Sequence, residues 1–238
     1  MRFRKQRGPA LSLALACHPV PTAAMTVAVT GAAALSGRSG PECLLVAAAV
    51  LTGQLTIGWI NDVVDRERDR RVGRPDKPVA LGWVEPGTVT FAVAVAVLLV
   101  IPLSLSNGTA AGLAHLAAVL AAWLYDLYLK QTVLSWLPFA VGFGLVPAFL
   151  SYGGLGGGLH GAPPTLTMTA LAALLGVGLH FLAALPDLVE DNETGVRNLP
   201  LRIALRTGAP RLLWISTAYT AVVAVAIVIA ALTVGLRR

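Results

Sequence analysis

Charged residues are scarce in this chain of 238 residues, because Asp, Glu, Lys and Arg together make up only 13% of it. An ordinary soluble domain carries about 25% charged residues. Hydrophobic residues account for 56% of the sequence, and the mean hydropathy is +0.73. This balance argues against a soluble protein with a large core and predicts an integral membrane protein.

Cysteine is also rare. Cys17 and Cys43 are the two present, and their spacing is not that of a CxxC metal or redox site. Both lie in or beside apolar stretches, which predicts buried and inert thiols. A cleavable signal peptide is not expected either, because the apolar run after the basic residues 2–7 is long and lacks a clear cleavage pattern. We interpret that run as the first membrane helix.

Two-residue alternation of apolar and polar side chains is missing from all the long apolar segments, which excludes a β-barrel. A helix is then the way to satisfy the backbone inside a bilayer. The predicted fold class is therefore all-α, a polytopic transmembrane helical bundle of about seven spans in one domain, 1–238. The predicted spans are 11–35, 44–60, 88–105, 110–127, 133–152, 165–185 and 212–236, of which only 44–60 is short.

Positive charge is divided unequally between the two ends of this bundle. Of the 18 Lys and Arg residues, only Arg38, Arg237 and Arg238 fall on one side, leaving 15 on the side of the N-terminus. The positive-inside rule then predicts a protein of the inner (plasma) membrane with a cytoplasmic N-terminus. The acidic residues, except Glu42, lie on that same side, which predicts a polar active site at the cytoplasmic face.

The net charge of +6 could suit several kinds of partner. The basic residues border apolar spans instead of forming an aromatic or amphipathic surface, so nucleic acid is not an expected partner. Membrane lipids with anionic headgroups and an anionic substrate are the partners that this arrangement predicts.

Two acidic clusters, 61–69 and 187–191, interrupt the chain where long apolar segments end. Carboxylates beside hydrocarbon are costly and usually functional. On a helix, the spacing i, i+3, i+7 in the first cluster and i, i+4 in the second puts each set on one face. Mg²⁺ prefers such hard oxygen ligands together with substrate phosphate. The candidate metal ligands are Asp62, Asp65, Asp69, Asp187 and Asp191.

Basic and amide side chains near these clusters are candidates for binding a diphosphate. A lysine acts on phosphate as a point charge, whereas an arginine can bind it with two parallel hydrogen bonds. The candidates are Asn61, Lys77, Lys130 and Arg197. Two alternatives remain open. The basic residues could set topology or contact lipid, and the acids could pair with the arginines at 66, 68, 70, 71 and 74 in a charged loop.

Three histidines fall within or beside the predicted spans. His180 lies two turns before Asp187, so it is a candidate for the same cavity, and His18 is expected to face the bundle near the start of the first helix. For His115 and His180, a hydrogen-bonded structural role is the preferred interpretation.

The order of these motifs resembles the UbiA superfamily of intramembrane prenyltransferases. Residues 61–78 contain Asn-Asp-x-x-Asp-x-x-x-Asp and then Asp-Lys-Pro, as in the first motif of that family. Residues 125–130 are similar to its Tyr…Lys segment. Residues 187–200 contain Asp-x-x-x-Asp and then Gly-Val-Arg-Asn-Leu-Pro, as in its second motif, with Asn where threonine is usual. The resemblance extends over 19–208.

The resemblance implies an all-helical enzyme in which the two aspartate motifs face each other. It implies Mg²⁺ as cofactor, an isoprenoid diphosphate donor, and transfer of the prenyl group, an alkyl group other than methyl, to a lipophilic and aromatic acceptor. The implied catalytic residues are Asp62, Asp65, Asp187 and Asp191, which would hold the metal that neutralises the leaving diphosphate. A terpene cyclase of the same superfamily and a non-catalytic transporter or scaffold are the alternatives.

Two expectations concern the organisation of the chain. The acidic motifs suggest two related halves, about 10–130 and 131–238, each ending a helix pair in a charged loop. The family commonly has nine transmembrane helices, whereas seven are predicted here. A wall of the usual cavity is then expected to be absent or supplied by another subunit of a homo-oligomer.

Overall fold

The computed structural model describes residues 8–154 and 162–235, and within these ranges the chain forms helices and no strands. The basic residues 2–7, Arg237 and Arg238, whose charges enter the predicted topology, lie outside the described residues. The helices are α1 (Pro9–Ala16), α2 (Pro19–Leu35), α3 (Gly40–Val72), α4 (Pro86–Leu105), α5 (Thr109–Leu124), α6 (Leu137–Gly144), α7 (Val146–Tyr152), α8 (Leu166–Ala184), α9 (Leu188–Glu193), α10 (Leu199–Thr207) and α11 (Ala209–Ala230).

The predicted all-α membrane bundle is confirmed. Five helical segments of the described chain are long and apolar enough to cross a membrane, and the bent pair α1 and α2 forms a sixth. The five are Gly40–Val72, Pro86–Leu105, Thr109–Leu129, Leu166–Glu193 and Ala209–Thr233. Large apolar side chains such as Trp214, Val222 and Leu232 are exposed on α11 and its continuation, as expected of surfaces that face lipid.

Prolines explain the two predicted spans that are not straight helices. Segment 133–152 contains two short helices, α6 and α7, which meet at Leu145. Pro147 lacks an amide hydrogen, and its ring conflicts with the carbonyl one turn earlier, which interrupts the helix. The first span bends by 59° between α1 and α2. There His18 adopts the left-handed φ of 55°, directly before Pro19.

Helix α3 is the element that positions the site, and it corrects the expectation of a short span at 44–60. It has 33 residues, so it is about 50 Å long and exceeds the hydrocarbon thickness of a bilayer. A capping box of Ser39 and Glu42 starts the helix, and Gly73 ends it with a left-handed φ of 73°. The first acidic cluster therefore lies on the last turns of a continuous helix, at one end of the bundle.

The opposite end of the bundle is held by Arg38, which is buried. Its guanidinium donates to the carbonyl oxygens of Phe149 at 3.0 Å and Leu150 at 2.8 Å, and to Asn107 Oδ1 at 3.4 Å. These contacts join the α2–α3 turn, the α4–α5 turn and the end of α7. The two turns and the end of α7 therefore lie together, at the end of the bundle away from the acidic clusters.

Close helix contacts depend on small residues. Gly58 on α3 packs against the Cys17 backbone at the bend between α1 and α2, where a Cβ atom would collide with the Cys17 carbonyl oxygen. Packing through small residues lets membrane helices approach each other closely. At the end that carries the acids, Leu188, Leu201 and Leu212 form a small apolar cluster that packs α9 and α10 against α11.

Candidate active site

The two acidic motifs converge at one end of the bundle. Asp65, Asp69 and Asp191 are each at most 6% exposed, and together with Asp187 they line a small polar pocket of about 80 Å³. Basic and amide side chains line the same pocket, namely Arg68, Arg74, Lys77, Lys130, Asn61 and Asn198. Carboxylates and cations that lie far apart in the sequence thus share one chamber.

On α3, the spacing of the first motif places Asp62, Asp65 and Asp69 on one buried face, while Arg66 and Arg70 on the other face are exposed. Asp62 lies behind the pocket and does not line it. Its Oδ2 accepts the backbone N–H of Val79 at 3.0 Å, which anchors the loop after α3. This loop carries Lys77 into the pocket.

The second motif does not form the single helical face expected from its i, i+4 spacing. Helix α8 ends at Ala184, a 3₁₀ turn runs from Leu185 to Asp187, and α9 starts at Leu188. Pro186 cannot donate a hydrogen bond to the preceding turn, so the regular helix cannot continue through it. Asp187 is therefore half-buried at the pocket edge, whereas Asp191 is buried one turn into α9.

Lys77 and Lys130 are both buried among the acids of α3. Lys77 Nζ donates to Asn61 Oδ1 at 2.8 Å and lies 3.8 Å from Asp62 and 3.6 Å from Asp69. His18 Nε2 is 3.2 Å from the same ammonium, which gives the strained histidine at the α1–α2 bend a contact with the site. Lys130 forms an ion pair with Asp65.

Two arginines link the motifs to each other. Arg68 on α3 lies 3.2 Å from Asp65, 3.8 Å from Asp69 and 3.5 Å from Asp191. Arg74 is 2.5 Å from both Asp187 Oδ1 and Glu190 Oε2. The alternative in which the acids pair with neighbouring arginines is thus partly realised, but Arg68 and Arg74 also form ion pairs that cross from the first motif to the second.

In the loop after α3, the hydrogen bonds and charge of Arg74 shift the pKa of Arg74 itself and of Asp76. Partial burial opposes the charge on its guanidinium, but the hydrogen bonds to Asp187 and Glu190 outweigh this and raise the pKa of Arg74. Burial also acts against ionisation of Asp76, yet the hydrogen bond and charge of Arg74 lower the pKa of Asp76. Arg74 therefore stays cationic at the pocket edge.

An apolar cavity of about 400 Å³ adjoins the polar pocket. Its walls come from α2, α3, α5, α6 and α7, and the two spaces meet at the side chains of Asn61, Tyr125 and Ala183, which line both. Tyr125 lies edge-on to Phe139 with ring centroids 5.1 Å apart. His180 does not line either space, because it is buried against Ser135 at 3.0 Å, in agreement with the structural interpretation.

Residues 21–237 match the family model of the UbiA prenyltransferase family. The chain belongs to the UbiA prenyltransferase family. The resemblance read from the two aspartate motifs is thereby confirmed, and with the apolar helices it identifies a multi-pass membrane protein.

A curated UbiA relative is protoheme IX farnesyltransferase 2 of Natronomonas pharaonis, which is 33% identical over 148 residues. This match covers 60% of the present chain and 33% of the relative, so the chain spans about a third of that relative's length.

Solved structures share the fold of this UbiA member. A UbiA homolog from Archaeoglobus fulgidus bound to GPP and Mg²⁺ superposes with a TM-score of 0.70 at 15% identity, over 90% of this chain and 76% of that chain. The same homolog bound to DMAPP and Mg²⁺ also superposes with a TM-score of 0.70, at 17% identity, over 89% of this chain and 76% of that chain. A digeranylgeranylglyceryl phosphate synthase superposes with a TM-score of 0.67 at 18% identity, over 94% of this chain and 78% of that chain.

The acidic residues of this UbiA chain fit a divalent cation of the Mg²⁺ type. Within the described ranges, Asp62 Oδ1 and Asp69 Oδ2 are buried without a hydrogen-bond partner. No group of three or more Asp, Glu, His or Cys side chains in those ranges is already arranged as a metal cluster. Mg²⁺ does not require such a cluster, because it usually takes one or two carboxylates and completes its octahedron with water and substrate phosphate.

Arg197, like Asp62, is a sequence-predicted site residue that does not line the pocket. It is exposed, and its guanidinium donates to the carbonyl of its neighbour Val196 at 2.8 Å. In the turn before α10 this side chain bonds to the backbone and does not line the pocket with the acids. Its placement gives no support to a diphosphate-binding role, which the sequence suggested only from its position after the second motif.

Besides Arg68 and Arg74, two further residues of the site were missed by sequence reasoning. Asn198 accepts the N–H of Leu201 at 2.9 Å as the N-cap of α10 and donates its amide to Asp191 at 2.8 Å. An asparagine before Leu-Pro is a helix-start signal that could have indicated the first of these contacts. Asp126 is buried and accepts from Asn61 Nδ2 at 2.8 Å. An acid within an apolar segment was the available signal for Asp126.

Proposed function

We propose that this chain is a Mg²⁺-dependent prenyltransferase that moves a prenyl group from an isoprenoid diphosphate to a lipophilic, aromatic acceptor. The main support for this proposal is that a polar pocket meets an apolar cavity at Asn61 and Tyr125. An allylic diphosphate has the same two parts, an anionic head and a hydrocarbon tail. The cavity volume lies within the ~300–1,000 Å³ range of ligand pockets.

The cations of the pocket would bind the diphosphate head. Lys77 and Lys130 are held at fixed positions by carboxylates and by Asn61, so their charges are already oriented when the substrate arrives. Arg68 and Arg74 could exchange a carboxylate partner for a phosphate oxygen, since both groups accept parallel hydrogen bonds from a guanidinium. Such preorganised cations stabilise charge that develops on a leaving group.

The metal ligands in this proposal are Asp62, Asp65, Asp69, Asp187 and Asp191. Bound Mg²⁺ would supply Lewis-acid stabilisation of the leaving diphosphate. Asp65, Asp69, Asp187 and Asp191 are favoured by lining the pocket, whereas Asp62 lies behind it and would act in part through Lys77 and the Val79 loop.

The proposed reaction breaks the bond between C1 of the prenyl group and the diphosphate oxygen, and the electron pair leaves with diphosphate. An electron-rich carbon of the acceptor forms the new bond to C1, and that carbon then releases its proton to water at the polar end of the site. The apolar walls of α2, α3, α5 and α6 keep water from capturing the prenyl cation.

The relatives support this choice. The Archaeoglobus fulgidus homolog binds GPP or DMAPP with Mg²⁺, and the Natronomonas pharaonis relative is named a farnesyltransferase. The charge distribution of the loops favours a plasma-membrane location with the polar pocket at the cytoplasmic face.

The test is release of diphosphate by the purified protein from geranyl, farnesyl or geranylgeranyl diphosphate, with and without Mg²⁺, followed by mass spectrometry of products formed with aromatic acceptors. Prenylated acceptor formed only with Mg²⁺ is the expected result. Cyclised hydrocarbon formed from the donor alone would replace the proposal with a terpene cyclase. Absence of diphosphate release from all three donors would contradict both and favour a transporter or scaffold.

A further inference from the structure

Two polar side chains face the apolar cavity at its deep end, away from the acids. These are Gln54 on α3 and His115 on α5, and both line the cavity. Most of the other lining residues at this depth are apolar, including Met25, Val50 and Phe149. A polar group without a partner in such surroundings costs free energy, so its presence calls for an explanation.

The hydrogen bonds of His115 determine which ring nitrogen carries the proton. Ser104 Oγ donates to the carbonyl of Val100 at 2.5 Å, so its hydrogen is already used. His115 Nδ1 lies 2.8 Å from this Oγ, and we assign Nδ1 as the donor of that bond because the hydroxyl hydrogen is directed to Val100. In the neutral imidazole, Nε2 is then an acceptor. His115 is 92% buried, and among the described residues its Nε2 has no hydrogen-bond partner.

Gln54 has a free donor and a free acceptor at the same depth. Among residues 8–154 and 162–235, its side-chain amide makes no hydrogen bond. By contrast Thr22, another polar residue on the cavity wall, donates to the Cys17 carbonyl at 2.7 Å. Gly53, the neighbour of Gln54, brings α3 against His115, whose Nε2 would lie 3.3 Å from a Cβ atom on that glycine. The two polar groups therefore occupy one level of the cavity.

This level lies two helical turns from the polar pocket. Gln54 precedes Asn61 by seven residues along α3, which corresponds to about 10 Å. A molecule that reaches from the junction at Asn61 to Gln54 must be about as long as two aromatic rings. A prenyl tail that long has no atom able to bond to an amide or an imidazole.

We infer that Gln54 and His115 bind a hydroxyl or carbonyl group of the acceptor, on the side remote from its reacting carbon. This inference rests on the proposed function, because it assigns the deep polar pair to the second substrate of the same cavity. A hydroxyl can donate to His115 Nε2 and accept from the Gln54 amide, which satisfies both side chains at once. The acceptor class is then an elongated aromatic molecule with a polar group at its far end.

The test compares two probes of matched shape, biphenyl and para-hydroxybiphenyl, by equilibrium dialysis against the detergent-solubilised chain. The quantity measured is the ratio of their Kd values, in wild-type protein and in the variants Gln54→Leu and His115→Phe. Comparing ratios between proteins cancels the different partitioning of the probes into detergent. Thr52→Val is the matched control, because Thr52 is a polar residue of α3 that bonds to the Ala48 carbonyl and does not line the cavity.

In the wild-type protein and in Thr52→Val, the Kd of biphenyl divided by the Kd of para-hydroxybiphenyl should be roughly tenfold larger than in Gln54→Leu or His115→Phe. Thermal unfolding identifies any variant that fails to fold, and the other variant then decides. An unchanged ratio of Kd values in the folded Gln54→Leu and His115→Phe proteins would overturn the inference. A fall of the ratio in Thr52→Val as large as in those variants would also overturn it. The probes contain no diphosphate, so failure of diphosphate release would contradict the proposed function without affecting this comparison.

Discussion

Asp65 and Asp191 are bound by one guanidinium, because Arg68 lies 3.2 Å from the first and 3.5 Å from the second. These carboxylates come from α3 and α9, which belong to opposite halves of the sequence. Their shared partner establishes that the two acidic motifs meet at the same end of the bundle. A site that depends on both motifs is therefore geometrically available.

Removing one charge from each motif should abolish diphosphate release while leaving the protein folded. Asp62→Asn keeps an oxygen that can accept from Val79 N–H, and Asp187→Asn leaves Arg74 bonded to Glu190. Each variant should lower the rate by at least about a hundredfold, the cost typical of losing one group that stabilises the leaving charge. Glu67→Gln is the control, since Glu67 is exposed on the same helix. Unchanged release in both variants would remove the metal-site hypothesis.

Lys77→Met should weaken donor binding, because a buried cation that can reach the diphosphate is replaced by an apolar chain of similar length. The expected rise in KM for geranyl diphosphate is tenfold or more, roughly the contribution of one charge-assisted hydrogen bond. Arg70→Met supplies the comparison, since Arg70 is exposed and pairs only with Glu67 at 3.8 Å among the described residues. An equal change in the two variants would show that net charge, and not the position of Lys77, matters.

Arg197→Ala should leave the kinetics of diphosphate release unchanged within about twofold, because the side chain does not line the pocket and binds the Val196 carbonyl. Steady-state rates over a range of geranyl diphosphate concentrations check this. A tenfold loss of activity would mean that the turn before α10 rearranges when the substrate binds.

Arg74→Leu should lower the thermal unfolding midpoint at neutral pH, because Asp187, Glu190 and Asp76 lose their shared partner. We expect a loss of about 1–2 kcal/mol after allowance for solvent screening of these partly exposed acids. Arg74 lowers the pKa of Asp76, so this contribution is present above the ordinary pKa of ~3.9 and is lost as pH falls through the lower folded value. The difference between wild type and variant should therefore shrink in acid. A difference that grows on acidification would contradict the assignment.

Several features of the fold and site were predictable from the sequence because they are periodic or locally determined. The apolar runs specify the helices, and the i, i+3, i+7 spacing specifies the buried face of Asp62, Asp65 and Asp69 on α3. Pro147 and Pro186 in the sequence indicate the helix breaks after α6 and before α9. The predicted spans did not include these breaks because they were drawn from apolar composition alone.

Other features depend on tertiary packing and have no local signature. Arg68 and Arg74 stand among several arginines of similar spacing, so only the fold distinguishes the two that reach the second motif. Gln54 is a single amide in an apolar run, and nothing in the sequence indicates that it faces a cavity. The related halves at about 10–130 and 131–238 and the second subunit of a homo-oligomer stay predictions.

We propose that both acidic motifs bind one Mg²⁺–diphosphate group. The most direct measurement is the affinity of the purified protein for geranyl diphosphate as a function of Mg²⁺ concentration, in wild type, Asp65→Asn and Asp191→Asn. We expect Mg²⁺ to strengthen binding to the wild-type protein, and we expect either substitution to remove most of this dependence. Mg²⁺ dependence that survives unchanged in Asp191→Asn would contradict a site shared between the two motifs.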